Sequence, residues 1–265
     1  MPDASPVTLH HEGWRCTITL NRPERHNAFD ADVIAQLTQA FAQAAEPADT
    51  RVVVLAARGG TFCAGADLRW MKAMALQTPA QNVADAEALA ALLHAVHHCP
   101  VPVVAQVQGD CMGGGVGLVA ACDVAVASHQ AHFALSEVRL GLIPATISPY
   151  LVQAMGPREA TRWALSGQRF DAPTALQSGL VHEVLPALEL PERVQALCTQ
   201  YQACGPQALR QCKALMREVA QAPLDAALRQ RTAEWIAQVR SSAEAQAGLQ
   251  AFLQRQPMPW APTEG

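Results

Sequence analysis

The chain has 265 residues, a net charge of −4 and 16% charged side chains, which argues against the basic surplus of most nucleic-acid binders and the polar, highly charged make-up of disordered proteins. Half of it is hydrophobic but only 5% aromatic, with 51 alanines and 16 glycines, so small side chains must build much of the core. That length suits one large domain, or one domain with an appended helical part.

Taken in chain order, Trp14 to Leu20 alternates and predicts a strand that ends at the turn Asn21-Arg22-Pro23. Asp30 to Ala45 places Val33, Ile34, Leu37 and Phe41 at helical spacing. Arg51 to Ala57 (RVVVLAA) is a continuous β-branched run, expected for a strand covered on both faces. Val83 to His98 reads as helix, Val101 to Val107 as a second buried strand, Gly113 to Ala121 as a helix entered through glycines, and Asp123 to Ser128 as a third strand. After Pro144 the pattern is helical at Thr146 to Met155, Arg158 to Leu165, Ala172 to Gln177, Pro191 to Ala203, Pro206 to Ala220, Leu224 to Gln238 and Ala243 to Gln254. Strand-like pieces at Phe133 to Leu135 and Leu180 to Val184 interrupt it. Buried strands alternating with helices predict an α/β architecture with parallel pairing. No run of about 20 apolar residues occurs, so no membrane span is expected. The start, MPDASPVTLHHEG, lacks the basic-then-apolar order of a signal peptide.

Two similar units carry the chemistry. RVVVLAARGGTFCAGADL joins a buried strand to Ala64-Gly65-Ala66-Asp67, and VPVVAQVQGDCMGGGVGL joins another to Gly113-Gly114-Gly115 at a helix start. Backbone N–H groups at such turns have no helical partner and can face an anion with help from the helix dipole. Two of them facing each other could share one oxygen, an oxyanion hole contributing about 2.7–4 kcal/mol per donor to a transition state. Alternatively the glycines serve only close packing. No Lys-Ser/Thr follows Gly115 as a phosphate-binding P-loop requires, and the spacing does not fit GxGxxG.

Glu137 lies in the apolar run HFALSEVRLGLIP. If buried there, its pKa rises and it can carry a proton near neutral pH; otherwise it marks the polar side of a loop. His94 and His98 of the cluster His94, His97 and His98 are four apart and could share a helix face, but zinc needs at least a third ligand and none is suggested nearby, so no metal is expected. The eight cysteines form no CxxC pair and read as reduced, packing thiols of a cytosolic protein. Cys63 and Cys111, beside the two turns, have no identifiable activating base.

Together these residues resemble the crotonase superfamily, the enoyl-CoA hydratases and isomerases. The resemblance runs through NRPERHNAF (Asn21–Phe29), FCAGADL (Phe62–Leu68), QGDCMGGGVGLVAACD (Gln108–Asp123), FALSEVRLGLIP (Phe133–Pro144), SGQRFDAPTALQSGLVHEV (Ser166–Val184) and AGLQAFLQRQPMPW (Ala247–Trp260). Six blocks in order cover nearly the whole chain. LSEVRLGLIPATISPYLV (Leu135–Val152) and GADLRWMKAM (Gly65–Met74) are further similar to a bacterial branch of methylglutaconyl-CoA and isohexenylglutaconyl-CoA hydratases.

The resemblance implies a spiral of repeated ββα units over residues 1–190. A helical region, 191–265, would serve oligomerisation and cover the site. It implies a cytoplasmic homotrimer or dimer of trimers acting on a CoA thioester, with no covalently bound cofactor and no nucleic-acid or membrane partner. The oxyanion N–H groups would belong to Ala66 and Gly114, and Glu137 would match one of two catalytic glutamates. Arg25, Ala28, Ala64, Ala66, Asp67, Leu68, Gly113, Gly114 and Gly117 would line the CoA thioester site. Asp123 matches a position read as structural, holding nearby backbone groups. One departure stands out: the second glutamate of the pattern falls at Gly117. Hydration of a 2-enoyl-CoA, including a branched glutaconyl-CoA, is therefore expected to rest on Glu137. A double-bond isomerase using Glu137 alone and a non-catalytic acyl-CoA binder are the alternatives.

Overall fold

The structure, a computed structural model, describes residues 5–261. The hairpin β1 (Val7–Glu12) and β2 (Arg15–Leu20) turns on Gly13-Trp14 and leads into α1 (Ala31–Ala44). The Asp30 carboxylate caps α1 by accepting from Val33 N–H at 3.0 Å. Three similar turns of chain follow. The first is β3 (Val52–Ala57), β4 (Thr61–Cys63), α2 (Leu68–Met74) and α3 (Pro79–His97); the second is β5 (Val103–Val107), β6 (Asp110–Met112) and α4 (Gly114–Ala121). The third is β7 (Val124–Ser128), β8 (His132–Ala134), a 3-10 turn at Glu137–Leu140, and α5 (Ser148–Ser166). Then come β9 (Arg169–Asp171), α6 (Ala172–Gln177), β10 (Glu183–Leu185) and the helices α7 (Leu190–Gln202), α8 (Pro206–Gln221), α9 (Ala226–Arg240) and α10 (Ala243–Leu253).

The first strand of each turn joins one sheet and the second joins another. The six-stranded sheet runs β1-β2-β3-β5-β7-β10 and the four-stranded sheet β4-β6-β8-β9. Pairing is parallel except at β1–β2 and β8–β9. The chain thus winds as a spiral of ββα units, with equivalent loops stacked side by side. That stacking is what brings the turn after β4 next to the turn after β6.

The uninterrupted apolar strands are covered on both faces. Val53 and Leu55 face a large core with Val33, Leu37 and Phe41 of α1 and Leu92, Leu93 and Val96 of α3. Val52, Val54, Val104 and Val126 face Leu190, Val194, Leu197 and Cys198 of α7. The first helix of the 191–265 region therefore lies directly on the sheet. Polar clasps add α8: Lys213 donates to Val101 O at 2.9 Å and to the Asp123 carboxylate, and Arg217 donates to His97 O. Glu244 of α10 accepts from Gln207 and Ala208 N–H at the start of α8, where the helix dipole favours an anion. No helix among the described residues is long and apolar enough to cross a membrane.

The structure differs from the sequence reading mainly in small elements. β1, β4, β6 and β9 are additional strands, and β10 starts at Glu183 rather than Leu180. α3 begins at Pro79, four residues before Val83, because Thr78 and Gln81 form a reciprocal capping box there. The helices expected at 146–155 and 158–165 abut as α5, broken only at Gly156 ahead of Pro157.

Candidate active site

Two glycine turns meet at the centre of the spiral. Gly65 and Gly113 both have positive φ, +86° and +49°, a region that side chains rarely adopt. A Cβ on Gly65 would lie 3.8 Å from Gly113 Cα and 3.1 Å from Met112 O, so a side chain on Gly65 would press on the backbone leading into the second turn. The first turn is held by Phe29, which donates to Gly65 O at 2.7 Å and accepts from Asp67 N–H at 2.6 Å. In such a parallel bridge, the N–H of the intervening Ala66 points away from Phe29. The second turn is anchored by Gly113 N–H to Ala134 O at 2.9 Å, and Gly114 opens α4. Among the described residues neither Ala66 N–H nor Gly114 N–H has a backbone acceptor, and both residues are partly exposed. The Phe29 ring packs against Gly114, where a Cβ would sit 3.0 Å from Cε2. One residue thus supports both turns, by backbone on one side and ring on the other.

Glu137 begins the 3-10 turn that follows β8. Its Oε1 lies 3.2 Å from where a Cβ on Gly113 would be, which puts the carboxyl beside the second turn. Oε2 is buried with no hydrogen-bond partner among the described residues. Burial raises the Glu137 pKa above the ordinary 4.5, and a backbone N–H offsets only part of the effect. Two available N–H donors and one desolvated carboxyl are the parts needed to polarise a carbonyl and move a proton on a neighbouring carbon.

Residues 14–263 match the family model Enoyl-CoA hydratase/isomerase. The chain belongs to the enoyl-CoA hydratase/isomerase family. A 2,3-dehydroadipyl-CoA hydratase from Escherichia coli is 31% identical over 90% of this chain and 91% of its own. An enoyl-CoA hydratase from Shewanella pealeana superposes with a TM-score of 0.93 at 36% identity, covering 96% of each chain. Pseudomonas aeruginosa AtuE also gives 0.93 at 33% identity, covering 97% of this chain and all of its own. The fold is that of the crotonase superfamily, and its family places acyl-CoA thioesters as the class of substrate.

Within this enoyl-CoA hydratase/isomerase frame the other singled-out residues divide. Gly117, where the second glutamate would stand, is buried, and a Cβ there would meet Ile147 Cγ2 at 2.2 Å and Leu93 Cδ2 at 3.6 Å. The space is filled by Ile147, not open. Asp67 is buried; it caps α2 through Arg69 and Trp70 N–H, and Arg25 approaches to 3.3 Å. Burial alone would raise its pKa, but those donors outweigh it and hold the carboxyl below the usual aspartate value. Arg25, Ala64 and Leu68 are exposed around the first turn, while Ala28 is buried beneath it. Asp123 accepts from Val103 N–H at 2.7 Å.

Both thiols are packed: Cys63 lies under Gly115, burial pushes its pKa up to about 12, and Cys111 is raised as well. A neutral thiol is a poor nucleophile. His94 and His98 stack with ring centroids 3.8 Å apart. Two surface hollows of about 590 and 700 Å³, one around Trp260 and one around Glu183 and Arg193, are lined by no residue of the glycine turns. Phe29, Asn27 and Ile147 were not singled out from sequence. Their signal is positional only: the first two fall inside NRPERHNAF and the third inside LGLIPATI.

Proposed function

We propose that this family member hydrates 2-enoyl-CoA thioesters, with the thioester oxygen held by Ala66 and Gly114 N–H. The observation that carries this reading is the half-buried Glu137 carboxyl beside Gly113, whose Oε2 is buried without a partner among the described residues. Polarising the thioester makes C3 electrophilic and lets charge spread into an enolate. Glu137 accepts a proton from water as the hydroxyl adds to C3, then returns that proton to C2, so water is added overall. One carboxyl suffices because both transfers occur on the same face. A branched glutaconyl-CoA is the substrate we favour, on the likeness of Leu135–Val152 to that branch; Arg69 and Lys72, exposed on α2, are cations available to an acyl carboxylate. Exposed Leu249, Phe252 and Leu253 on α10 support self-association, and the reduced cysteines suit the cytoplasm.

Ile147 over Gly117 supports a second reading. A single carboxyl can also take a proton from C2 of a 3-enoyl-CoA and return it to C4, giving a 2-enoyl-CoA. The test is a product analysis with crotonyl-, 3-methylglutaconyl- and 3-hexenoyl-CoA. A 3-hydroxyacyl product identifies the hydratase, and a 2-enoyl product from 3-hexenoyl-CoA identifies the isomerase. In either case Glu137→Gln is expected to lower turnover by ~10²–10⁴-fold while CoA thioesters still bind. A variant as fast as the parent removes Glu137 from the chemistry.

A further inference from the structure

Asp85, on α3, is the only acid among the described residues besides Glu137 that has a buried carboxylate oxygen without a partner. It lies on an inward stripe of the helix: Asp85, the half-buried Leu89 and the buried Leu93 follow at intervals of four, which keeps them on one side. Leu93 reaches Gly117 of α4, and Asp85, two turns earlier, stands beside the indole of Trp70 on α2. Trp70 is one helical turn beyond Ala66, the residue offering the first free N–H. The stripe therefore runs from the wall at Gly117 to the helix that follows the first glycine turn. The surrounding positions Ala84, Ala86, Glu87 and Ala88 are exposed, so Asp85 is the polar group that this part of α3 turns inward. The Trp70 indole N–H serves the carboxylate, but the Oδ2 atom is buried with no partner among the described residues, and an acceptor buried without a donor is unfavourable.

We propose that Asp85 is a specificity-determining residue that accepts a hydrogen bond from a donor on the distal part of the acyl group, a hydroxyl or a protonated carboxyl. This rests on the reading that the thioester oxygen sits at Ala66 and Gly114, with the acyl chain running along α2 past Trp70. A site built to receive such a donor discriminates against the plain hydrocarbon, because the hydrocarbon leaves the acceptor unpaired.

The experiment measures binding of saturated thioesters, which need no turnover: hexanoyl- and octanoyl-CoA against their ω-hydroxy counterparts, by calorimetry, on the full chain. At one of the two lengths the parent should bind the ω-hydroxy ligand about tenfold more tightly. Asp85→Leu should erase or reverse that order. Asp85→Asn, which keeps an acceptor oxygen in the same shape, should retain a preference. Equal binding of both ligands by the parent, or a preference that survives in Asp85→Leu, overturns the role of Asp85 alone. Failure of the parent to bind any acyl-CoA overturns the placement of the thioester together with it.

Discussion

At the scale of single residues, the site is defined as much by what is small as by what is charged. Gly65 and Gly113 let two backbones approach, while Gly117 serves a different end, because Ile147 occupies the volume its side chain would take. This separates two explanations of the missing second glutamate: the position has not simply lost a carboxyl from an open pocket, since the pocket wall there is rebuilt. Gly117→Glu is accordingly expected to destabilise the chain by about 1–3 kcal/mol through overpacking and to leave crotonyl-CoA hydration no faster. Gly117→Glu with Ile147→Ala should recover part of the stability. Thermal melts and a crotonyl-CoA assay check both, and a faster, equally stable Gly117→Glu single variant would show that Ile147 yields easily.

At the scale of elements, the first glycine turn is a latch between segments far apart in sequence. Asn27 is buried with φ +54°. It accepts from Arg22 N–H at 2.8 Å and donates to Arg58 O and Thr61 O at 2.9 and 2.8 Å. Ala64 N–H donates to His26 O at 3.0 Å, so the loop before α1 and the β3–β4 connection are fixed together. Asn27→Ala leaves these groups unpaired in the interior and should cost about 2–3 kcal/mol. Urea unfolding measures it; a cost under half a kcal/mol would mean that the latch is redundant. Nothing in NRPERHNAF identifies Asn27 as a hub, because two of its three partners, Arg58 and Thr61, lie more than thirty residues away. The same limit explains which elements were legible. Val52–Ala57 and the helix over Ala31–Ala44 were readable because a buried run and a 3.6-residue period are local signals. β4, β6 and β9 have three residues each, too few for a period of two to show, and the pairing of stacked loops creates them. Ala66, Gly114 and Glu137 could be named from sequence, but not the Ile147 wall or the inward turn of Asp85, which depend on packing between helices.

At the scale of the whole molecule, α8 is bound to the core through a cluster of charge where α3 ends. His97 lies edge-on to Tyr150 of α5. Its neighbours include His98, which caps α3, Lys213 and Arg217 of α8, and Asp123 just before β7. Burial lowers the His97 pKa first; His98, Arg217 and Lys213 lower it further, and Asp123 opposes them, leaving it at about 4 against an ordinary 6.5. Above pH 6.5 the ring is neutral folded or unfolded and does not alter stability. As pH falls through that value the unfolded chain takes up a proton that the folded chain refuses until about 4, so stability present at neutral pH is lost across that window. His97→Gln removes the titrating ring while keeping a polar side chain. The parent's urea midpoint should therefore fall more steeply than the variant's between pH 7 and pH 4.5, with hydrogen exchange in α8 accelerating first. Parallel midpoints across that range would show that His97 takes up its proton while folded, and the acid sensitivity of the clasp would then have to lie with its neighbours.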